Sequence, residues 1–195
     1  VHSAPSGGIK AAAGVDVYGG MLNASTYGGN VSLSGQLLAT AGDINLYARA
    51  GSFNNQGGSI TQNAGGFIAG DASFLMAQGD LNLNGSVTSD AGAYIYAFAG
   101  VGYDMGTGCS GGPCPAPTFA SHYGGNLNVG GLLSSSGGIS LAANVGTADT
   151  SRGNIDLAVG GEIGANGEIS LVAGRNIDLR GDVDSSGFML PGELT

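Results

Sequence analysis

Apolar residues in this chain alternate with polar ones over very short runs, and glycine brackets the runs. Val31 and Leu33 flank Ser32, Ile44 and Leu46 flank Asn45, and the arrangement returns at Leu81/Leu83, Leu127/Val129, Ile139/Leu141, Ile155/Leu157, Ile169/Leu171 and Ile177/Leu179. Period-two alternation this brief, bounded by Gly, Asn and Asp, is the pattern of short half-buried strands. Helices are close to excluded, because glycine recurs every few residues and costs about 1 kcal/mol at an interior helical position.

Whole phrases recur as well. "GGNVSLSGQLLATAGDINL" at 28–46 returns as "GGNLNVGGLLSSSGGISL" at 124–141, and looser copies begin at Gly14, Gly79, Gly153 and Arg175. One apolar anchor per expected strand gives Val15, Leu22, Val31, Leu37, Ile44, Phe53, Ile60, Phe67, Phe74, Leu81, Val87 and Ile95. Three such strands fill about 20 residues, the length of one turn of a three-sided β-solenoid. Gly, Asn and Asp then fall at corners, where positive φ is expected. A single turn is not stable alone, since ordering about 20 residues costs more than about six buried aliphatics return. Stacked turns add inter-coil hydrogen bonds and a dry ladder of like side chains. The expected architecture is therefore an all-β, right-handed parallel β-helix of about eight coils, one solenoid domain over residues 1–195.

One stretch breaks the rhythm. Residues 101–123, "VGYDMGTGCSGGPCPAPTFASHY", lack alternation and hold Pro113, Pro115 and Pro117. Proline is not tolerated in a central strand of a ladder, so an extrahelical loop is expected there. Its aromatic and polar feet, Tyr103, Asp104, Phe119, His122 and Tyr123, are candidate ligand contacts, because exposed Tyr offers large contact area with little entropy to lose. The same side chains would also serve to pin the loop to the rod. Cys109 and Cys114 are separated by four residues that include two glycines and Pro113. That spacing suits a small disulfide-closed loop in an oxidising compartment, ahead of free thiols or a metal site, for which further ligands are lacking nearby. The tail from Asp182 starts like another coil and then loses the pattern, as a cut edge or a cap would.

Composition narrows the function. Gly makes up 40 of 195 residues, only 10% are charged, and the net charge is −9 with five basic residues. No basic patch exists to neutralise phosphate, so nucleic acid and anionic lipid are poor partners. No apolar run is long enough for a transmembrane helix. The chain starts at Val1 without a leader-like segment, so a mature protein or a fragment of a longer secreted one is expected, its export signal lying elsewhere. Three Asn-x-Ser sequons, at Asn23, Asn30 and Asn84, are few enough to be chance in so Asn- and Ser-rich a chain.

The phrases "GGNVSLSG", "GDINLYARAG", "GNIDLAVGG" and "GRNIDLRGDV" resemble the repeat region of filamentous haemagglutinin-like proteins, large adhesins exported by two-partner secretion. The resemblance covers most of the chain outside residues 101–123. It implies a right-handed parallel β-helix passed through an outer-membrane transporter and used at a bacterial cell surface, or released, in attachment, aggregation or toxin delivery. The Asn-Pro-Asn motifs typical of that family's secretion domain are missing, which would place this segment downstream of it.

Enzymes also use parallel β-helices. A hydrolase needs carboxylates converging on one groove, and the candidates here are Asp16, Asp156 and Asp178 on outward strand positions, Asp43, Asp71 and Asp80 at corners, and Asp182 and Asp184 near the end. Corner Asp residues cap turns for structural reasons. Asp156 and Asp178 occupy related phrases and are expected to stack on one face, with Arg152, Arg175 and Arg180 in reach, as surface ion pairs of little energetic weight. Calcium-binding nonapeptides and an ice-binding threonine ladder find no matching pattern. The reading is thus a non-enzymatic adhesin or matrix segment, a stalk presenting a loop to a host-cell or matrix glycan or protein, or to neighbouring adhesin molecules, with no cofactor and no metal. A carbohydrate-active lyase or hydrolase and a pure spacer are the alternatives.

Overall fold

The computed structural model describes residues 2–5, 9–12, 14, 16–27, 29–49, 58–90, 92–102, 118–119, 125–145 and 152–185. Every regular element among them is a strand, and the strands form three seven-stranded parallel sheets and one two-stranded antiparallel pair. Successive strands of the chain fall on successive sheets, so the chain winds around a three-sided prism: a parallel β-helix.

Face A holds His2–Pro5, Leu22–Tyr27, Ile44–Arg49, Ser73–Ala77, Ile95–Ala99, Ile139–Ala143 and Ile169–Ala173. Face B holds the three-residue strands Ile9–Ala11, Val31–Leu33, Ile60–Gln62, Leu81–Leu83, Leu127–Val129, Ile155–Leu157 and Ile177–Leu179. Face C holds Asp16–Gly19, Gln36–Ala39, Phe67–Gly70, Ser86–Ser89, Leu132–Ser135, Glu162–Ala165 and Asp182–Ser185. Seven rungs are described, against about eight expected.

Because register is kept from rung to rung, like side chains stack inside the prism. On face B the row Val31, Ile60, Leu81, Leu127 and Ile155 pairs in register, and each residue is completely buried. Leu37, Ile68, Val87, Leu133 and Ile163 make the matching row on face C. Apolar burial at about 25 cal/mol per Å² is the main stabilising term, and each rung buries its neighbours' edges as well as its own. At the last described rung the inward residues Ile177, Leu179 and Val183 are exposed.

Two of the sequence anchors are corrected. Phe67 and Phe74 point outward, and their neighbours Ile68 and Leu75, with no accessible surface, fill the core instead. Period-two alternation with apolar residues on both faces does not say which set is inside, and the narrow prism selects the aliphatic set. Val15 and Phe53 lie outside the described residues.

The recurring glycine of the repeated phrase has a different cause from the one expected. At the corner from face B to face C, Gly66, Gly85, Gly131, Gly161 and Gly181 form a column without positive φ. A Cβ on Gly85 would collide with the carbonyl oxygen of Gly66, one on Gly131 with that of Gly85, and one on Gly181 with that of Gly161. Close backbone approach therefore requires these glycines. Positive φ occurs instead at Gly14, Gly65, Gly92, Gly100, Gly153, Gly160 and, among non-glycine residues, Asn144.

Candidate functional site

Connections at two corners are short. Faces B and C are joined by two residues (34–35, 84–85, 130–131, 180–181) or four (12–15, 63–66, 158–161), and faces C and A by two to five. The corner from face A to face B is different. It takes three residues at 6–8, 28–30, 78–80 and 174–176, but is lengthened to 50–59, 100–126 and 144–154 in the other three rungs. All three long connections therefore join face A to face B.

That corner is held by a chain of side-chain acceptors on the residues preceding four consecutive face B strands, Val31–Leu33 to Leu127–Val129. Asn30 Oδ1 accepts the Ser59 N–H at 2.9 Å, Ser59 Oγ that of Asp80 at 3.1 Å, and Asp80 Oδ1 that of Asn126 at 2.9 Å. Asn126 Oδ1 in turn accepts from both Gly153 and Asn154 at 3.1 Å. Thr26, buried within the same corner, donates to the Gly29 carbonyl at 2.7 Å. Each bond of the acceptor chain from Asn30 to Asn154 spans a whole rung, and three of its four steps cross a long connection. The rungs on either side of 100–126 pair directly, Leu81 with Leu127 and Ile95 with Ile139, so the rod runs past the excursion unbroken.

Among the residues expected at the loop, Tyr103, Asp104, Cys109, Cys114, His122 and Tyr123 lie outside the described residues. Phe119 belongs to the strand Thr118–Phe119, which pairs antiparallel with Val101–Gly102 and places Phe119 opposite Val101. The excursions at 50–59 and 144–154 were not singled out by sequence rhythm. Their only signal is the lengthened spacing between Ile44 and Ile60 and between Ile139 and Ile155.

The carboxylates fall where their phrases put them. Asp156 and Asp178 pair in register on the outside of face B, above a polar row of Thr61, Asn82 and Asn128, where Asn128 Nδ2 donates to Asn82 Oδ1 at 2.7 Å. Arg180 Nε lies 3.1 Å from Asp178 Oδ2, and Arg152 Nη1 lies 3.8 Å from Asp80 Oδ1, both pairs being solvent-exposed. At this exposure such pairs contribute little to stability. Asp43 works as a corner cap, its Oδ1 accepting the Ala72 N–H at 3.2 Å. Among the described residues no group of three or more His, Cys, Asp or Glu is arranged to hold a metal ion, and no helix is long and apolar enough to cross a membrane.

An aromatic ridge on the outside of face A was missed. Phe74 and Tyr96 are register partners with ring centroids 5.0 Å apart and nearly parallel planes. Tyr94 stacks on the other side of Tyr96 at 5.7 Å, and Phe98 meets Tyr96 edge-on at 6.2 Å. The Tyr94 ring reaches over the next rung and lies where a Cβ of Gly138 would point. The signal was present in "AYIYAFAG", where aromatics alternate with Ile95, Ala97 and Ala99, the residues that the core takes.

No protein-family model, no curated protein and no solved structure matches the chain.

Proposed function

We propose that this chain is a segment of a secreted or cell-surface adhesin or matrix protein of the filamentous haemagglutinin-like kind, exported through an outer-membrane transporter, in which the β-helix is a stiff stalk that presents loops to a glycan or protein. The observation that carries the reading is the segregation of the three long connections at one corner of the rod. Chain length that served only to build the rod would be spread over all three corners, or absent. Long connections confined to one corner leave the ladder between rungs intact, and loops on a rigid scaffold are the usual place for recognition. Several weak contacts on one rod then add through effective concentration.

The test is a binding panel of glycans and matrix proteins, run on the intact chain and on a variant with Gly102 to Tyr123 replaced by a two-residue turn, after both show the same cooperative melting. Binding lost with the loop supports the adhesive reading. If neither protein binds, the segment is a spacer.

One observation favours the enzymatic alternative, the in-register pairing of Asp156 with Asp178 on an outer face. Polysaccharide turnover abolished by Asp156→Asn or Asp178→Asn would replace the adhesive reading with a glycoside-cleaving one.

A further inference from the structure

We propose that the aromatic ridge on face A is a binding site for a neutral, linear glycan lying along the rod axis; the proposal deepens the adhesive reading and rests on it. Soluble surfaces rarely expose a contiguous apolar patch without a use for it. Here Phe74, Tyr94, Tyr96 and Phe98 occupy outward positions on adjoining rungs, with Tyr94 40% exposed and the other three half-buried. They add nothing to the prism interior, which the aliphatic rows already fill.

Three features select the ligand. The first is charge. From Asn23 to Val172 the strands of face A carry no acidic residue and one basic residue, Arg49, which ends its strand and pairs with Tyr27, although the chain carries a net charge of −9. Acidic residues stand only at its margin, among them Asp43, Asp71 and Asp90. An anionic sugar would be repelled there, and a cationic partner finds no counter-charge on the ridge. The second is polarity at the ends of the ridge. In register the outward row reads Asn45, Phe74, Tyr96, Ser140, so amide and hydroxyl groups flank the rings along the direction a chain would run. The third is spacing. Strands repeat about every 4.8 Å along the rod, close to the length of one hexopyranose unit, so a linear glycan meets about one rung per sugar. Because Phe74 and Tyr96 cover each other's faces, contact is through ring edges, the tyrosine hydroxyls and the outer face of Tyr94. The positive edge of an aromatic ring suits the oxygens of a sugar.

Cellohexaose and maltohexaose, with hexagalacturonate as the charged comparison, are titrated into the intact chain, into Tyr94→Ala/Tyr96→Ser, into Tyr94→Phe and into the variant lacking Gly102 to Tyr123. Calorimetry and tyrosine emission, which no tryptophan masks, give the affinities, and sedimentation is measured alongside. We expect one of the neutral oligosaccharides to bind, at least about tenfold more weakly in the double variant, with affinity largely kept in Tyr94→Phe and unchanged without the loop. Binding that survives the double variant but vanishes with the loop overturns the ridge and leaves the adhesive reading standing. No binding of either neutral sugar, equal binding of hexagalacturonate, or dimers that dissociate in the double variant would each overturn the proposal, the last by assigning the ridge to a second copy of the chain. Protein ligands in the wider panel decide the adhesive reading separately.

Discussion

The hydrogen that Gly131 carries in place of a side chain points at the carbonyl oxygen of Gly85, one rung below, with no room for a methyl group between them. The same relation links Gly85 to Gly66 and Gly181 to Gly161. Gly131→Ala must push backbone against backbone and is expected to destabilise the rod by about 1–3 kcal/mol. Gly164 is the control. It lies on face C with nothing within 4 Å of its Cβ position, so Gly164→Ala is expected to change stability by less than about 0.5 kcal/mol. Urea unfolding of the two variants, followed by circular dichroism, separates them; equal midpoints would mean that the column is not tight.

Inside face A, Ser73 interrupts an aliphatic row. Its register partners are Ile44 and Ile95, it is completely buried, and its hydroxyl has no partner among the described residues. Ser73→Val removes a desolvated hydroxyl and adds apolar contact, so a gain of about 1 kcal/mol is expected. Ser89 is as deeply placed but differs in chemistry. Its hydroxyl lies 2.8 Å from that of Ser135 and 3.1 Å from the Ala93 carbonyl. Ser89→Val gives up both contacts, while the Ser135 hydroxyl keeps its own bond to the Ala93 carbonyl at 2.7 Å, so a cost of about 1 kcal/mol is expected. Thermal melting of both variants gives the opposite signs, and a shared sign would contradict the account.

The corner ladder gives a local prediction. Asp80 Oδ1 accepts the backbone N–H of Asn126, the residue at which the chain returns from its longest excursion. Asp80→Ala leaves that N–H without its acceptor and is expected to cost about 1–2 kcal/mol, whereas Asp80→Asn keeps an acceptor and loses little. Amide exchange at Asn126, at least about fivefold faster in the alanine variant only, would be the mark of it. Exchange faster in both variants would assign the effect to the exposed Arg152 contact instead.

Much of the fold was legible because a β-helix writes the same physical requirement once per rung. Val31/Leu33 and Leu127/Val129 serve equivalent places, and their alternation gave the strands of face B directly. Phe67 and Phe74 misled because hydrophobicity alone does not separate a core position from an apolar outer one. Gln62 was invisible for the converse reason. It stands in the row between Leu33 and Leu83, completely buried, its Nε2 donating to the Gly66 and Ser86 carbonyls at 3.1 and 2.8 Å. The Gly66 acceptor lies in the corner that follows Gln62, but Ser86 belongs to the next rung, which no local pattern encodes. The aromatic ridge was hidden likewise, since Phe74 and Tyr96 are adjacent only through rung stacking.

Asp156 and Asp178 offer a test in which stability and function are read from one substitution. In-register neighbours on a parallel sheet sit about 4.8 Å apart, and like charges directly opposite each other destabilise a strand pair. Arg180 offsets this for Asp178 alone, and weakly, because the contact is exposed. Below Asp156 the row continues as Asn128 and Asn82, joined by a side-chain hydrogen bond. Asp156→Asn therefore removes the repulsion and extends the amide ladder by one rung. A gain of about 0.3–1 kcal/mol is expected, larger at low ionic strength because exposed charges are screened by salt. Thermal melting at low and high salt measures it. A gain with binding unchanged fits a stalk, where the carboxylate pair is only a tolerated repulsion. A loss of stability at low salt would show that the pair is compensated by more than Arg180.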